Sequence, residues 1–200
     1  MLERFRQFWT NVWAPLGDLL LRMGVSPNAV TLVGTLGVCA GALVCFPQGW
    51  LLAGVLVITA FVFSDMIDGY MARTSGQLSP FGAFLDSTTD RVSEAFMLGA
   101  IGLVFMRHGH EWALALCFAA VTGSFLVSYT RARAEALGLR GDVGVGSRAE
   151  RVVVITGGLV LAPWGVLPWA IALLTATAWI TVLQRILHVR RQLLDRPPPS

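Results

Sequence analysis

The sequence predicts an all-α, polytopic membrane protein: six transmembrane helices preceded by an N-terminal amphipathic helix at the membrane interface. Three observations predict it. Hydrophobic residues make up 55% of the 200 residues and charged residues only 14%, against roughly 25% charge in a soluble domain. Mean hydropathy is +0.66. Long uncharged runs alternate with short polar or Gly/Pro turns, and the basic residues gather at alternate ends of those runs.

Residues 1–22 hold Arg4, Arg6 and Asp18, so they are no secretory signal, and Phe5, Phe8, Trp9, Val12, Trp13, Leu16, Leu19 and Leu20 recur at helical spacing. That pattern suits a helix lying in the headgroup layer, kinked at Pro15. The membrane domain is assigned to 23–191. Ser26-Pro27-Asn28 opens a first span over 27–46, and Pro47-Gln48-Gly49 turns the chain. A second span runs from Trp50 to Arg73, a third from Phe81 to Met106 and a fourth from Trp112 to Ala136. A glycine-rich loop, Gly138 to Gly146, comes next. Residues 152–183 carry no charge; as one helix they would be ~48 Å long at ~1.5 Å per residue, too long for a ~30 Å hydrocarbon core. Pro163-Trp164-Gly165 and Pro168 therefore mark a hairpin between a fifth and a sixth span. Residues 192–200, ending Arg-Pro-Pro-Pro-Ser, read as a disordered tail.

With the N-terminus inside, fourteen arginines fall on one side and only Arg107 on the other. This places both termini in the cytoplasm. There is no lysine; all fifteen basic residues are arginine, a planar fork suited to phosphate and carboxylate. The net charge of +3 is modest, and no nucleic-acid partner is expected. Cys39, Cys45 and Cys117 are odd in number and lie in apolar runs, as small hydrophobes do. Gly37-x-x-x-Gly41 is spaced for close helix packing.

Four of the twelve acidic residues stand at the inner ends of two successive spans. Asp65 and Asp68 are three apart, and Asp86 and Asp90 four apart, so each pair shares a helical face. The segment from Gly69 to Ser79 is short enough to set the two helices side by side. Four such carboxylates repel severely unless a cation sits among them. Oxygen-only ligands point to Mg²⁺ or Mn²⁺, and four aspartates are enough for two ions. A transporter or metal channel is the alternative of another class, but a conduction path needs polar residues at mid-membrane, and all four aspartates lie at one end.

Asp65-x-x-Asp68-Gly69-x-x-Ala72-Arg73, eight residues, then Gly82-x-x-x-Asp86-x-x-x-Asp90 resembles the CDP-alcohol phosphotransferase signature. All eight fixed positions match, which by chance happens on the order of 10⁻¹⁰ per register at about one in twenty per position. The resemblance implies transfer of a phosphatidyl group from CDP-diacylglycerol to an alcohol with release of CMP, at a two-ion Mg²⁺ site facing the cytoplasm. It implies that Asp65 and Asp86 bridge both ions, that Asp68 completes one, and that Asp90 reaches the other and serves as catalytic base. It also assigns CDP-diacylglycerol binding to Asn28, Ala29, Val30, Thr31, Gly69, Ala72, Arg73 and Ser79, and implies a homodimer.

Segments 129–142 and 146–151 cluster five arginines, and Gln184-Arg185 adds one more. They are similar to the actinobacterial branch of the family whose acceptor is inositol phosphate, which would assign the acceptor's phosphate to Arg131, Arg133, Arg151 and Arg185. Three positions depart from that branch: Ser147 and Ala149 stand for Glu and Pro, and Arg131 for Lys. Glycerol 3-phosphate, also an anion, is the alternative acceptor. The chain is thus expected to be a bacterial, actinobacterial cell-membrane enzyme of phospholipid biosynthesis. His108 and His110, on the outer turn with Glu111, are given no chemistry.

Overall fold

Ser26 starts the first span as its sequence predicts: the Ser26 hydroxyl accepts the Ala29 N–H at 3.3 Å, and Pro27 occupies the first helical turn, where a missing N–H costs nothing. The computed structural model describes residues 2–145 and 148–195, the side chains of 12–145 and 150–195 included. Among these residues every regular element is helical: α1 (Leu2–Arg22), α2 (Pro27–Cys45), α3 (Leu51–Val62), α4 (Ser64–Thr74), α5 (Pro80–Arg107), α6 (Glu111–Ala136), α7 (Arg148–Val160) and α8 (Leu167–Leu194), with a 3₁₀ turn at Ala162–Trp164. The chain forms two compact units, residues 1–100 and 101–200, and α5 runs through the division.

Among the described residues four helical stretches are long and apolar enough to cross a membrane: Pro27–Cys45, Leu51–Thr74, Glu111–Ala136 and Leu167–Leu194. Helix α5 has the length, 28 residues, but carries Asp86, Asp90, Arg91 and Glu94. Helix α7 has only 13 residues, about 20 Å of rise. Many large apolar side chains stand on the outside; Leu36, Leu52, Leu56, Phe118 and Trp169 are each more than 60% exposed, an arrangement that water would not tolerate over so large a surface.

In the first unit a stripe of small residues on α2 receives α3 and α4. A Cβ on Gly34 would lie 1.9 Å from Ser64 Oγ, one on Gly37 2.4 Å from the Phe61 ring, and one on Gly41 2.8 Å from Val57 Cγ1. The close packing expected of Gly37 and Gly41 therefore extends one turn further, to Gly34. The turn between α2 and α3 is the predicted one: Gly49 adopts φ 80°, and its N–H donates to Phe46 O at 2.9 Å.

The predicted second span is not one regular helix but two. At Phe63 the ladder shifts: its N–H reaches Thr59 O and Phe61 O, while Ser64 Oγ donates to Phe61 O at 2.6 Å. A hydroxyl competing for a backbone carbonyl loosens a helix locally, and here it does so where Ser64 must clear Gly34. Helix α1 packs on α4, with Trp13 5.5 Å from Phe63 between ring centroids, Gly17 against Tyr70, and the Tyr70 hydroxyl donating to Asp18 Oδ1 at 3.0 Å. Val12, Leu16, Leu19 and Met23 are exposed on its other side. The side chains of Phe5, Phe8 and Trp9 lie outside the described residues.

In the second unit α6 and α8 run parallel. Thr175 Oγ1 donates to Leu116 O at 3.2 Å and Trp179 Nε1 to Ala119 O at 3.1 Å, and Val127, Ala178 and Val182 pack further along. The α7–α8 hairpin closes through the 3₁₀ turn and Gly165 at φ 72°, where Pro163 and Pro168 led it to be expected. Gly158 meets Ala170 so closely that an added Cβ would lie 2.6 Å from it. Helix α8 continues to Leu194, three residues into the segment assigned to the tail; residues 196–200 lie outside the described residues.

Gly34→Ala is expected to destabilise the protein by about 1–3 kcal/mol, the usual cost of overpacking, measured as a lowered midpoint of thermal unfolding in detergent. Adding Ser64→Ala, which removes the nearest atom, should recover a large part of that loss.

Candidate metal and phosphate site

Signature carboxylates converge where α4 and the first turns of α5 meet in the first unit. One carboxylate oxygen each from Asp65, Asp68 and Asp86 lies within 4.8 Å of the other two. Helix periodicity explains the first pair, since residues three apart share a face. The turn at 75–79 explains the third: Gly76 takes φ 68° and reverses the chain, and Ser79 caps α5 by accepting the Gly82 N–H at 3.0 Å. Asp68 is buried while Asp65 and Asp86 are half-buried, so the group is open on one side. Three hard anionic oxygens at this spacing fit a hard divalent cation such as Mg²⁺ or Mn²⁺.

Thr31 orients the deepest of the three. Its hydroxyl donates to Asp68 Oδ2 at 2.5 Å, which fixes one carboxylate oxygen and leaves the other for a ligand. Partners of this kind, one step removed from a metal, set the direction of its ligands. Thr31 can do this because the α2 glycine stripe brings the start of α2 against α4. Asn28, one turn earlier, is half-buried, and its Oδ1 lies beside Gly82, 3.4 Å from where a Cβ would stand. Ala29 and Val30 occupy the same turn, and both are half-buried.

Arg73 folds back over Gly69, with Nη1 3.3 Å from where a Gly69 Cβ would lie. A side chain there would push the guanidinium aside. Arg73 is exposed and has no hydrogen-bond or ion-pair partner among the described residues, so its donor fork is open to an anion. Ala72 is half-buried beside it. Ser79 is brought to the same end by its cap on α5.

Asp90 is one turn beyond Asp86 and buried; its Oδ2 lies 3.9 Å from Arg91 Nη2. It is not among the three carboxylates that share the 4.8 Å group. Glu94, one turn further, is also buried and was not singled out from sequence. The four-residue spacing Asp86–Asp90–Glu94 is the signal that finds it.

In the second unit, Arg131, Arg151 and Arg185 lie close enough for Arg131 and Arg151 to repel the Arg185 charge, with Asp142 and Glu135 offsetting them. Arg151 and Arg185 are buried and Arg131 and Arg133 exposed. Arg131 Nε donates to Glu135 at 2.9 Å. Arg133, two residues on, stands on the opposite side of α6. Arg185 has a structural task that sequence alone did not disclose: Nε donates to Val143 O at 2.8 Å and Nη1 to Val127 O, tying the 139–145 loop to α6 and α8. Ser147 and Gly146 lie outside the described residues, as does the Arg148 side chain.

The sequence matches the CDP-alcohol phosphatidyltransferase family over residues 24–189. It is 44% identical to a phosphatidylinositol phosphate synthase of Cutibacterium acnes, over 96% of this chain and 98% of that one. With the synthase of that name from Streptomyces avermitilis it shares 43% identity, over 96% and 84% of the two chains. Among solved structures it resembles Mycobacterium tuberculosis phosphatidylinositol phosphate synthase with CDP-DAG bound, at a TM-score of 0.87 and 34% identity over 94% of this chain and 100% of that one. The same enzyme in complex with manganese and citrate matches at a TM-score of 0.86 and 36% identity, over 92% of each chain.

Thr31→Val is expected to weaken Mn²⁺ binding about 10–100-fold, read by calorimetric titration of the purified protein, while the thermal midpoint without metal changes little.

Proposed function

Since the chain belongs to the CDP-alcohol phosphatidyltransferase family, we propose that it is a bacterial, multi-pass cell-membrane enzyme that transfers the phosphatidyl group of CDP-diacylglycerol to a hydroxyl of inositol phosphate. The products are phosphatidylinositol phosphate and CMP. The observation that carries this reading is the meeting of Asp65, Asp68 and Asp86 within 4.8 Å, in the signature that the family match covers.

The residues divide the work as follows. Asp65, Asp68 and Asp86 would hold Mg²⁺ or Mn²⁺, and Asp90 would complete a second ion's shell. Bound metal supplies charge neutralisation for the diphosphate and for the departing CMP. Gly69 and Ala72 keep one wall low so that the nucleotide lies against the backbone. Arg73 grips phosphate, and Asn28 to Thr31 and Ser79 line the same end. The acceptor hydroxyl attacks the phosphorus that bears the diacylglycerol, its bond to the CMP oxygen breaks, and Asp90 takes the hydroxyl proton. The resemblance in sequence to synthases named for phosphatidylinositol phosphate favours a phosphorylated acceptor, which Arg131, Arg133, Arg151 and Arg185 would hold by its phosphate.

The membrane arrangement belongs to the same proposal. Residues 23–191 form the transmembrane domain, with α5 and the α7 segment joining the four apolar stretches to make six spans. Helix α1 lies in the headgroup layer on its exposed Val12, Leu16 and Leu19. The arginine-rich ends face the cytoplasm; in the second unit Trp112 and Trp169, 5.9 Å apart, start α6 and α8 at their other ends, as interfacial aromatics do. Two copies associate as a homodimer.

Purified protein supplied with CDP-diacylglycerol and Mg²⁺ is expected to release CMP with inositol phosphate and not with glycerol 3-phosphate; the reverse preference would refute the acceptor assignment. Chelation of divalent metal should abolish release. Asp90→Asn is expected to lower turnover by about 10²–10⁴-fold, the usual contribution of a positioned base, with donor binding retained. Arg151→Ala should raise the acceptor KM far more than the donor KM, and equal effects on both would count against the phosphate pocket. Arg185→Ala should do the same and also lower the thermal midpoint, because the hydrogen bonds to Val143 O and Val127 O that tie the loop to α6 and α8 are lost.

A further inference from the structure

Helix α8 has a polar face that this chemistry leaves unused. Gln184, His188 and Arg191 are four and three residues apart, so they form one stripe along its charged end, turned about 100° from the buried Arg185. Beside the stripe runs an open cavity of about 430 Å³, walled on one side by Gln184, Leu187, His188 and Arg191 and on the other by Val143 to Val145. Among the described residues no carboxylate lines it. None of the three polar side chains has a hydrogen-bond or ion-pair partner among the described residues.

The facing wall is held firmly. Val145 N–H donates to Thr181 Oγ1 at 3.1 Å, and that hydroxyl donates back to Val145 O at 2.7 Å. The Gln192 amide brackets the Arg140 backbone, accepting its N–H at 3.0 Å and donating to its carbonyl at 2.7 Å. Gly144 takes φ 145°, where a Cβ would stand 2.3 Å from Thr181 Cγ2. Thr181, Arg185 and Gln192 thus pin the loop along one side of α8.

One end of this groove offers hydrogen-bond donors and positive charge. Its helix wall is continued by an apolar track: Leu187 is followed by the exposed Leu183 and Ile180, four and then three residues back, along the uncharged part of α8. A cationic end joined to an apolar track matches an anionic amphiphile rather than a free anion. We propose that this groove binds an anionic phospholipid, with its phosphate on Arg191 and His188, a headgroup hydroxyl on Gln184 and an acyl chain along Leu187, Leu183 and Ile180.

The test uses the full-length protein in neutral detergent, titrated with dioctanoyl phosphatidylglycerol, with dioctanoyl phosphatidylcholine and with inorganic phosphate, and bound lipid counted by native mass spectrometry. Phosphatidylglycerol is expected to bind more tightly than phosphatidylcholine. Arg191→Gln should weaken phosphatidylglycerol about fivefold, the effect of one surface cation, and leave phosphatidylcholine binding and CMP release unchanged. Equal affinity for the two lipids, or unchanged phosphatidylglycerol binding in Arg191→Gln, would overturn the proposal. Displacement of phosphatidylglycerol by inorganic phosphate at similar concentration would overturn it too, by assigning the groove to the free anion. Leu183→Asn should weaken the lipid, and an undiminished affinity in that variant would contradict the acyl track.

Discussion

Mutual repulsion among Asp65, Asp68 and Asp86 is the constraint around which the first unit is arranged. At 4.8 Å, two full negative charges repel by about 3–4 kcal/mol at an effective dielectric constant near 20, and three carboxylates make three such pairs. The packing that forces them together must therefore be strong. Glycines 34, 37 and 41 let α2 approach α3 and α4 at backbone distance, and that approach delivers the Thr31 hydroxyl to Asp68. From its other side α4 is held by α1 through Trp13, Gly17 and the Tyr70–Asp18 hydrogen bond. A divalent cation among them would turn this repulsion into attraction, so the arrangement that costs energy empty is one that suits a metal ion.

The second unit uses arginine in two ways. Arg185 and its neighbours on α8 fix the 139–145 loop through backbone carbonyls and amides, so the guanidinium is structural as well as cationic. Arg131, exposed and among the described residues paired with Glu135, is held by a surface ion pair of small worth, which a phosphate could displace at little cost. Firm loop and adaptable cation together would suit the proposed phosphate site.

Much of this was legible in the sequence, for identifiable reasons. Helix starts and turns were signalled by residues whose backbone preferences are local: Ser26-Pro27, Pro47 to Gly49, and Pro163 to Gly165. The aspartate spacing predicted convergence because helical periodicity and a short turn leave little freedom. The break at Phe63 was not legible, since it comes from Ser64 bonding back to Phe61 while clearing Gly34, a contact 30 residues away in sequence. Nor was the role of Arg185, because its acceptors are carbonyls that any residue could provide. Asp90 and Glu94 show the same limit: spacing assigns them to the face of Asp86, but whether a carboxylate joins the cluster or is buried beside it depends on neighbouring helices. Helix α5, read as the third span from its length and apolar second half, carries Asp86, Asp90, Arg91 and Glu94 in its first half, and Asp86 is the one that joins the cluster.

An anomalous-difference map from crystals soaked in Mn²⁺ tests the central claim most directly. A peak among Asp65, Asp68 and Asp86, within about 2.3 Å of an oxygen from each, is the predicted result. A map flat at that position, with the three carboxylates turned toward separate protein partners, would contradict the account.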